Sequence, residues 1–251
     1  MTNHFQHDGF DIAYLDRGAG EPVLLIHGFA SNARTNWDAP GWIATLNDAG
    51  YRTIALDNRG HGQSSKSHNS ADYHPAAMAS DALALLDHLG IEKANVMGYS
   101  MGARISAFLA MAHPERVKSI VFGGLGSGMV DGVGDWDPIA DALLADDPAM
   151  ITHERGMAFR KFADQTKSDR LALAACIQTS RDLVDPANLR NLTMPVLVAA
   201  GTKDDISGDP FALAAMMPDA GGFWIEGRDH MLAVGDRSFK QAVLAFLARV
   251  R

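Results

Sequence analysis

The sequence predicts an α/β fold built on a doubly wound, mostly parallel sheet. Three observations carry that prediction. Strand-length apolar runs are continuous rather than alternating, and helix-length amphipathic stretches separate them. In addition, the turn Gly98-Tyr99-Ser100-Met101-Gly102 has the small-residue spacing that joins a buried strand closely to a helix. With 251 residues, 47% of them hydrophobic, the chain is long enough for one large core and a small accessory lobe.

Taken in order, Phe10 to Leu15 alternates as an exposed early strand does, whereas Val23 to Ile26 is continuously apolar and reads as a strand buried on both faces. Tyr51 to Leu56, Ala94 to Met97, Val117 to Phe122, Pro195 to Ala200 and Gly222 to Ile225 supply five more strands. Met78, Ala82, Leu85, Leu86 and Leu89 form one helical stripe closed by Gly90. The last helix, Phe239 to Val250, opens behind Asp236 or Ser238 as its N-cap. Strand rhythm is interrupted once. Residues 124–190 show helical signals and no convincing strand, so they are expected to form a helical insertion over one end of a core made of 1–123 and 191–251. Trp136, Leu143, Leu144, Met150, Met157, Phe159 and Phe162 of the insertion are candidates to roof a pocket or to pack it onto the body.

Composition excludes several function classes. The net charge is −8 and no Lys/Arg run exceeds two residues, a poor footprint for nucleic acid or an anionic membrane surface. Cys176 is the only cysteine, so no intrachain disulfide forms, and its apolar surroundings read as a helix face. Neither a signal-peptide pattern nor an apolar stretch of about 18 residues is found, and the expectation is a soluble cytoplasmic protein.

The chemistry concentrates at strand ends. A Gly-flanked serine between strand and helix has its hydroxyl lifted off the sheet, with the helix N-terminus aimed at the same spot, which marks Ser100 as a candidate nucleophile. The chain has ten histidines, but His230 lies between the last strand and the last helix, where α/β sheets meet ligands. An acid to orient it follows the strand ending at Gly201; Asp204 is favoured and Asp205 is the runner-up, while Asp229, adjacent to His230, is badly placed. The position after the preceding strand reads Gly123-Gly124-Leu125-Gly126 and offers no carboxylate. Backbone N–H groups of Phe29, in His27-Gly28-Phe29, and of Met101 are the expected oxyanion donors. His27 reads as a structural hydrogen-bonder.

The order Ser100, Asp204, His230, with His27-Gly28 upstream and Asp57-Asn58-Arg59-Gly60-His61-Gly62-Gln63-Ser64 between, resembles the α/β-hydrolase superfamily, in its esterase, C–C hydrolase and cofactor-free haloperoxidase branch. The resemblance implies an eight-stranded sheet with a helical cap between strands six and seven. It also implies a small-molecule substrate, no cofactor and no metal, with Asp57 to Ser64 as a structural turn. Ala103 departs from the third glycine of many relatives. The expected activity is a serine hydrolase cleaving a small to medium, mainly apolar carboxylic ester through an acyl-enzyme. Alternatives with the same triad are hydrolysis of a C–C bond in a dicarbonyl ring-cleavage product, and lactonase or perhydrolase chemistry. A ligand-sensing relative with little turnover is the alternative outside catalysis. Serine at position 100 argues against haloalkane dehalogenase and epoxide hydrolase, which would need aspartate there. Two look-alikes fail: His153-Glu154 lacks a second histidine at Met157, and Gly124-Leu125-Gly126-Ser127-Gly128 has Met129 where a dinucleotide loop needs glycine, with no helix expected to open there.

Overall fold

A computed structural model describes residues 1–251. Eight strands form one sheet: β1 (Asn3–His7), β2 (Phe10–Arg17), β3 (Glu21–Ile26), β4 (Tyr51–Leu56), β5 (Ala94–Tyr99), β6 (Val117–Gly123), β7 (Val196–Gly201) and β8 (Ala220–Ile225). Their spatial order is β1-β2-β4-β3-β5-β6-β7-β8, antiparallel at the first two pairings and parallel from β4 onward. The helices are α1 (Trp42–Asp48), α2 (Pro75–His88), α3 (Met101–Ala112), α4 (Gly128–Asp131), α5 (Asp137–Leu144), α6 (Glu154–Gln165), α7 (Arg170–Thr179), α8 (Pro186–Leu189), α9 (Pro210–Ala214), α10 (His230–Ala233) and α11 (Arg237–Val250).

Alternation along each strand divides the core between the two sheet faces. Leu24, Ile26 and Val96 pack with α2, α3 and α9 on one face; Val23, Leu25 and Met97 pack with α1 and α11 on the other. Strands β5 and β7 are buried at every residue, which is why they read as unbroken apolar runs.

Two sequence expectations need correction, and one strand was missed. β2 is not exposed: Ile12 to Leu15 are all buried, because β1 and β4 flank the strand. β1 was not readable as a strand, since its polar Asn-His-Phe-Gln-His buries only Phe5. A short helix, α4, does open at Gly128. Asp236 is the N-cap of α11, accepting from Ser238 N–H at 2.7 Å.

Between β6 and β7 the chain runs through α4 to α8 without a strand. This roof has no core of its own. Ile139, Leu143, Leu173 and Cys176 belong to the same apolar cluster as α2 and α3. Of the residues expected to roof a pocket, Leu144 and Met150 instead face solvent.

The chain order reverses across β3: β4 lies on one side and β5 on the other. Loops leaving the carboxyl ends of β3 and β5 diverge there and open a crevice. Ile26 pairs in register with Gly98, so the segments that follow each strand, one with Phe29 and the other with Ser100, meet at that crevice.

Candidate active site

Ser100 sits between β5 and α3 with φ 55° and ψ −113°, a left-handed conformation costly for a residue with a Cβ. The surroundings enforce it. A Cβ on Gly98 would come within 2.1 Å of the Gly102 carbonyl, and one on Gly102 within 1.9 Å of the Ile26 carbonyl. Ser100 N–H donates to Gly123 O at 2.8 Å, and its own carbonyl accepts from Ala103 and Arg104 N–H. The hydroxyl is thereby presented at the start of α3.

His230 reaches it from the opposite side of the crevice: its Nε2 lies 3.0 Å from Ser100 Oγ, and its Nδ1 lies 2.8 Å from Asp204 Oδ2. The β7 and β8 loops are laced together to make this possible. Thr202 N–H donates to Ile225 O and Lys203 N–H to Arg228 O, and the bare Gly201 lets Arg228 approach. Tyr99 adds a strut, its buried hydroxyl donating to His230 O at 2.6 Å. Nothing in the sequence pattern singled out Tyr99, because the motif leaves that position free.

Asp204 is positioned on its other oxygen by Ile206 and Ser207 N–H at 2.9 and 3.0 Å. Burial alone would raise its carboxyl. The hydrogen bond and charge of His230, with those two N–H groups, more than offset this and hold it below the usual carboxylate range. An ionised Asp204 accepts Nδ1–H of His230, which leaves Nε2 as acceptor for the Ser100 hydroxyl. Asp205 points away to Arg155 at 2.9 Å, and Asp229 caps α10 through Leu232 N–H. Of the three acidic candidates, only Asp204 meets the imidazole.

The chain matches the family described as alpha/beta hydrolase fold over residues 21–166. It belongs to that family. Across 96% of this α/β hydrolase and 99% of the relative, it is 29% identical to BpoC of Mycobacterium tuberculosis, which is named as a non-heme bromoperoxidase. A hydrolase from Pseudomonas aeruginosa PA01 superposes with a TM-score of 0.79 at 26% identity, each chain covered to 98%. The meta-cleavage product hydrolase of Pseudomonas fluorescens IP01 shares the fold, with a TM-score of 0.75 at 20% identity over 99% and 98% of the two chains.

Around the serine, the hydrolase encloses a cavity of about 130 Å³ walled by Phe29, Trp136, Phe159, Phe162, Met231 and Val234. Ring centroids of Phe159 lie 5.6 Å from those of both Phe29 and Trp136, so aromatic contacts join the body to the roof. Beyond His230 and Met231 lies a wider recess of about 350 Å³, with Glu154, Arg155, Asp205 and Asp229 among its lining. Phe29 and Met101 flank the serine, and both are buried. Met101 opens α3, where an N–H has no acceptor in the preceding turn. Phe29 is held by its loop: Asn36 accepts Gly28 N–H at 3.1 Å, and Asp57 ties Ala33 N–H to Gln63 N–H.

Several other buried polar groups serve the frame. Arg59 is locked to Asp81 through two 2.7 Å bonds, both residues being buried. His27 Nδ1 lies 2.8 Å from Gly28 O, and Nε2 accepts Asn58 N–H at 2.9 Å. Burial lowers His27 to about 4 and His61 to about 3. Burial pushes the Cys176 thiol up to about 12, so it stays an inert thiol beside Met101. No helix is long and apolar enough to cross a membrane.

Proposed function

We propose that this α/β hydrolase cleaves small to medium, mainly apolar carboxylic esters through an acyl-enzyme on Ser100. The observation that carries this reading is the unbroken chain from Ser100 Oγ to His230 Nε2 at 3.0 Å and from His230 Nδ1 to Asp204 at 2.8 Å. Ser100 attacks the ester carbonyl as His230 takes its proton, and the resulting imidazolium is stabilised by Asp204. Phe29 and Met101 N–H groups receive the oxyanion, a contribution of roughly 100- to 1,000-fold per donor. His230 then protonates the departing alcohol and activates a water that releases the acid. Residues 124–190 act as the cap that shapes the acyl and alcohol pockets. The substrate is a free small molecule, no nucleic acid or membrane surface is engaged, and the site of action is the cytoplasm.

Burst kinetics on p-nitrophenyl esters of increasing acyl length test the proposal. The expected result is a stoichiometric burst, absent in Ser100→Ala, with a chain-length optimum set by the aromatic walls. Wild type as inert as Ser100→Ala would overturn it. A perhydrolase reading is favoured by the resemblance to BpoC along nearly its whole length. Hydrogen peroxide would then replace water on the acyl-enzyme, and peracid would appear when peroxide and a short carboxylic acid are supplied.

A further inference from the structure

Ser100, Phe29 and Trp136 also border a second, smaller cavity of about 40 Å³. Its remaining wall is apolar apart from Ser180 and two arginines, Arg104 and Arg181. No carboxylate lines it. Arg104 is only 4% exposed and sits one helical turn beyond the serine on α3.

A buried guanidinium ordinarily faces a carboxylate, as Arg59 faces Asp81 in this same chain. Arg104 instead spends Nη1 on the carbonyls of Met129 and Asp182, at 3.0 and 2.8 Å, and Nη2 on that of Gly128 at 3.3 Å. Three of its five N–H donors are thus engaged with neutral acceptors. Nε–H and one Nη2–H remain, the pair with which arginine receives a carboxylate side-on. The Asp182 carboxylate is turned to His74, 2.7 Å away. Arg181 places Nε on Ile177 O, and its nearest acid, Asp137, stands at 3.5 Å on the outside. Burial presses Arg104 down to about 10, against an upward pull from the Asp182 charge, with a smaller downward push from Arg181. Two guanidinium groups therefore line a small space whose wall holds no carboxylate.

We infer that this cavity binds a carboxylate of the substrate, so that the preferred ester is one whose apolar body carries a carboxylate a few bonds from the scissile carbonyl. A volume of about 40 Å³ accommodates about three water-sized groups, the size of one carboxylate. The inference rests on the ester reading for the reaction but not for the binding site.

Two pairs of isosteric esters test it: monomethyl succinate against methyl 4-methylvalerate, and 3-acetoxypropionate against isoamyl acetate. The first pair puts the charge on the acyl side, the second on the alcohol side. In at least one pair the wild type is expected to favour the anion at least 10-fold in kcat/KM. That anion-to-neutral ratio should fall to about one or below in Arg104→Met, be partly retained in Arg104→Lys, and drop several-fold in Arg181→Gln. Arg181 makes fewer structural bonds, so its variant keeps the test open if Arg104→Met does not fold. Calorimetric titration of Ser100→Ala with monomethyl succinate reads binding without turnover; loss of that binding on adding Arg181→Gln supports the carboxylate site even if no ester is cleaved. Neutral esters preferred in both pairs, or an anion preference unmoved by both arginine variants, would overturn the inference.

Discussion

The body of the sheet and the roof between β6 and β7 form the same cavity by different means. In the body, backbone geometry places the reacting groups: the left-handed Ser100 is wedged between Gly98 and Gly102, and the β7 and β8 loops are joined by main-chain hydrogen bonds. The roof is tied down largely by side chains, with Thr179 Oγ1 on Ser70 O at 2.5 Å, Thr166 Oγ1 on Ala30 O at 3.3 Å, His68 on Asp169 and Arg155 on Asp205. Its aromatic surface comes from Trp136, Phe159 and Phe162. A backbone-built feature tolerates little change, because main-chain atoms in contact cannot be repacked. A side-chain-built one can be resized without losing the fold. On the proposed reading, chemistry belongs to the first region and most of the selectivity to the second, with Arg104 of α3 as the exception.

The sharpest way to break that division is in the body. Ser100→Ala should reduce kcat by at least ~10⁴-fold, and Asp204→Asn by roughly 10³- to 10⁴-fold, because His230 would lose its ionised orienting partner. Both should keep the wild-type melting temperature to within a few degrees, which calorimetry checks. Gly102→Ala attacks the frame instead. Its Cβ would meet the Ile26 carbonyl at 1.9 Å, so a loss of about 3 kcal/mol or more is expected, seen as a Tm lower by roughly 10 °C or as insoluble protein.

Acid should loosen the same frame. His27 and His61 are held neutral at about 4 and 3, below the ordinary 6.5 that they regain on unfolding. Protonating His27 Nε2 would set it against Asn58 N–H, and His61 Nε2 has no acceptor to offer a proton to. The unfolded chain therefore binds more protons below pH 6.5. Stability is full above that pH and is lost as pH falls through the window down to about 4 and 3, at about 1.4 kcal/mol per pH unit for each histidine. Urea titrations between pH 7 and 4 should show the midpoint falling steadily; a flat midpoint would mean that the buried pair takes no part. The smallest effect is expected in the roof. Phe162→Ala should shift the acyl-length optimum upward and change KM several-fold while leaving the burst at Ser100, and an unchanged optimum would remove Phe162 from the pocket wall.

Much of the body could be read along the chain because its determinants are local. Gly98, Ser100 and Gly102 lie within five residues, and continuous apolar runs mark strands buried on both faces. What could not be read is equally physical. β1 is an edge strand whose polar side chains carry no periodic signal, and β2 alternates in composition while being buried by neighbours distant in sequence. Spacing favoured Asp204 without excluding Asp205, since adjacent residues on a loop point in different directions only once that loop is fixed.

By itself, the sequence determined the sheet's parallel core, the strained turn at Ser100 and the short set of groups able to work with it. These follow from local sterics and from hydrophobic periodicity. Tertiary structure alone decided that Asp204 faces His230, that Tyr99 braces the imidazole loop, and that Arg104 and Arg181 share a cavity without an acid. Each of those facts depends on segments far apart in the chain, whose meeting is set by strand order and packing rather than by any neighbouring residue.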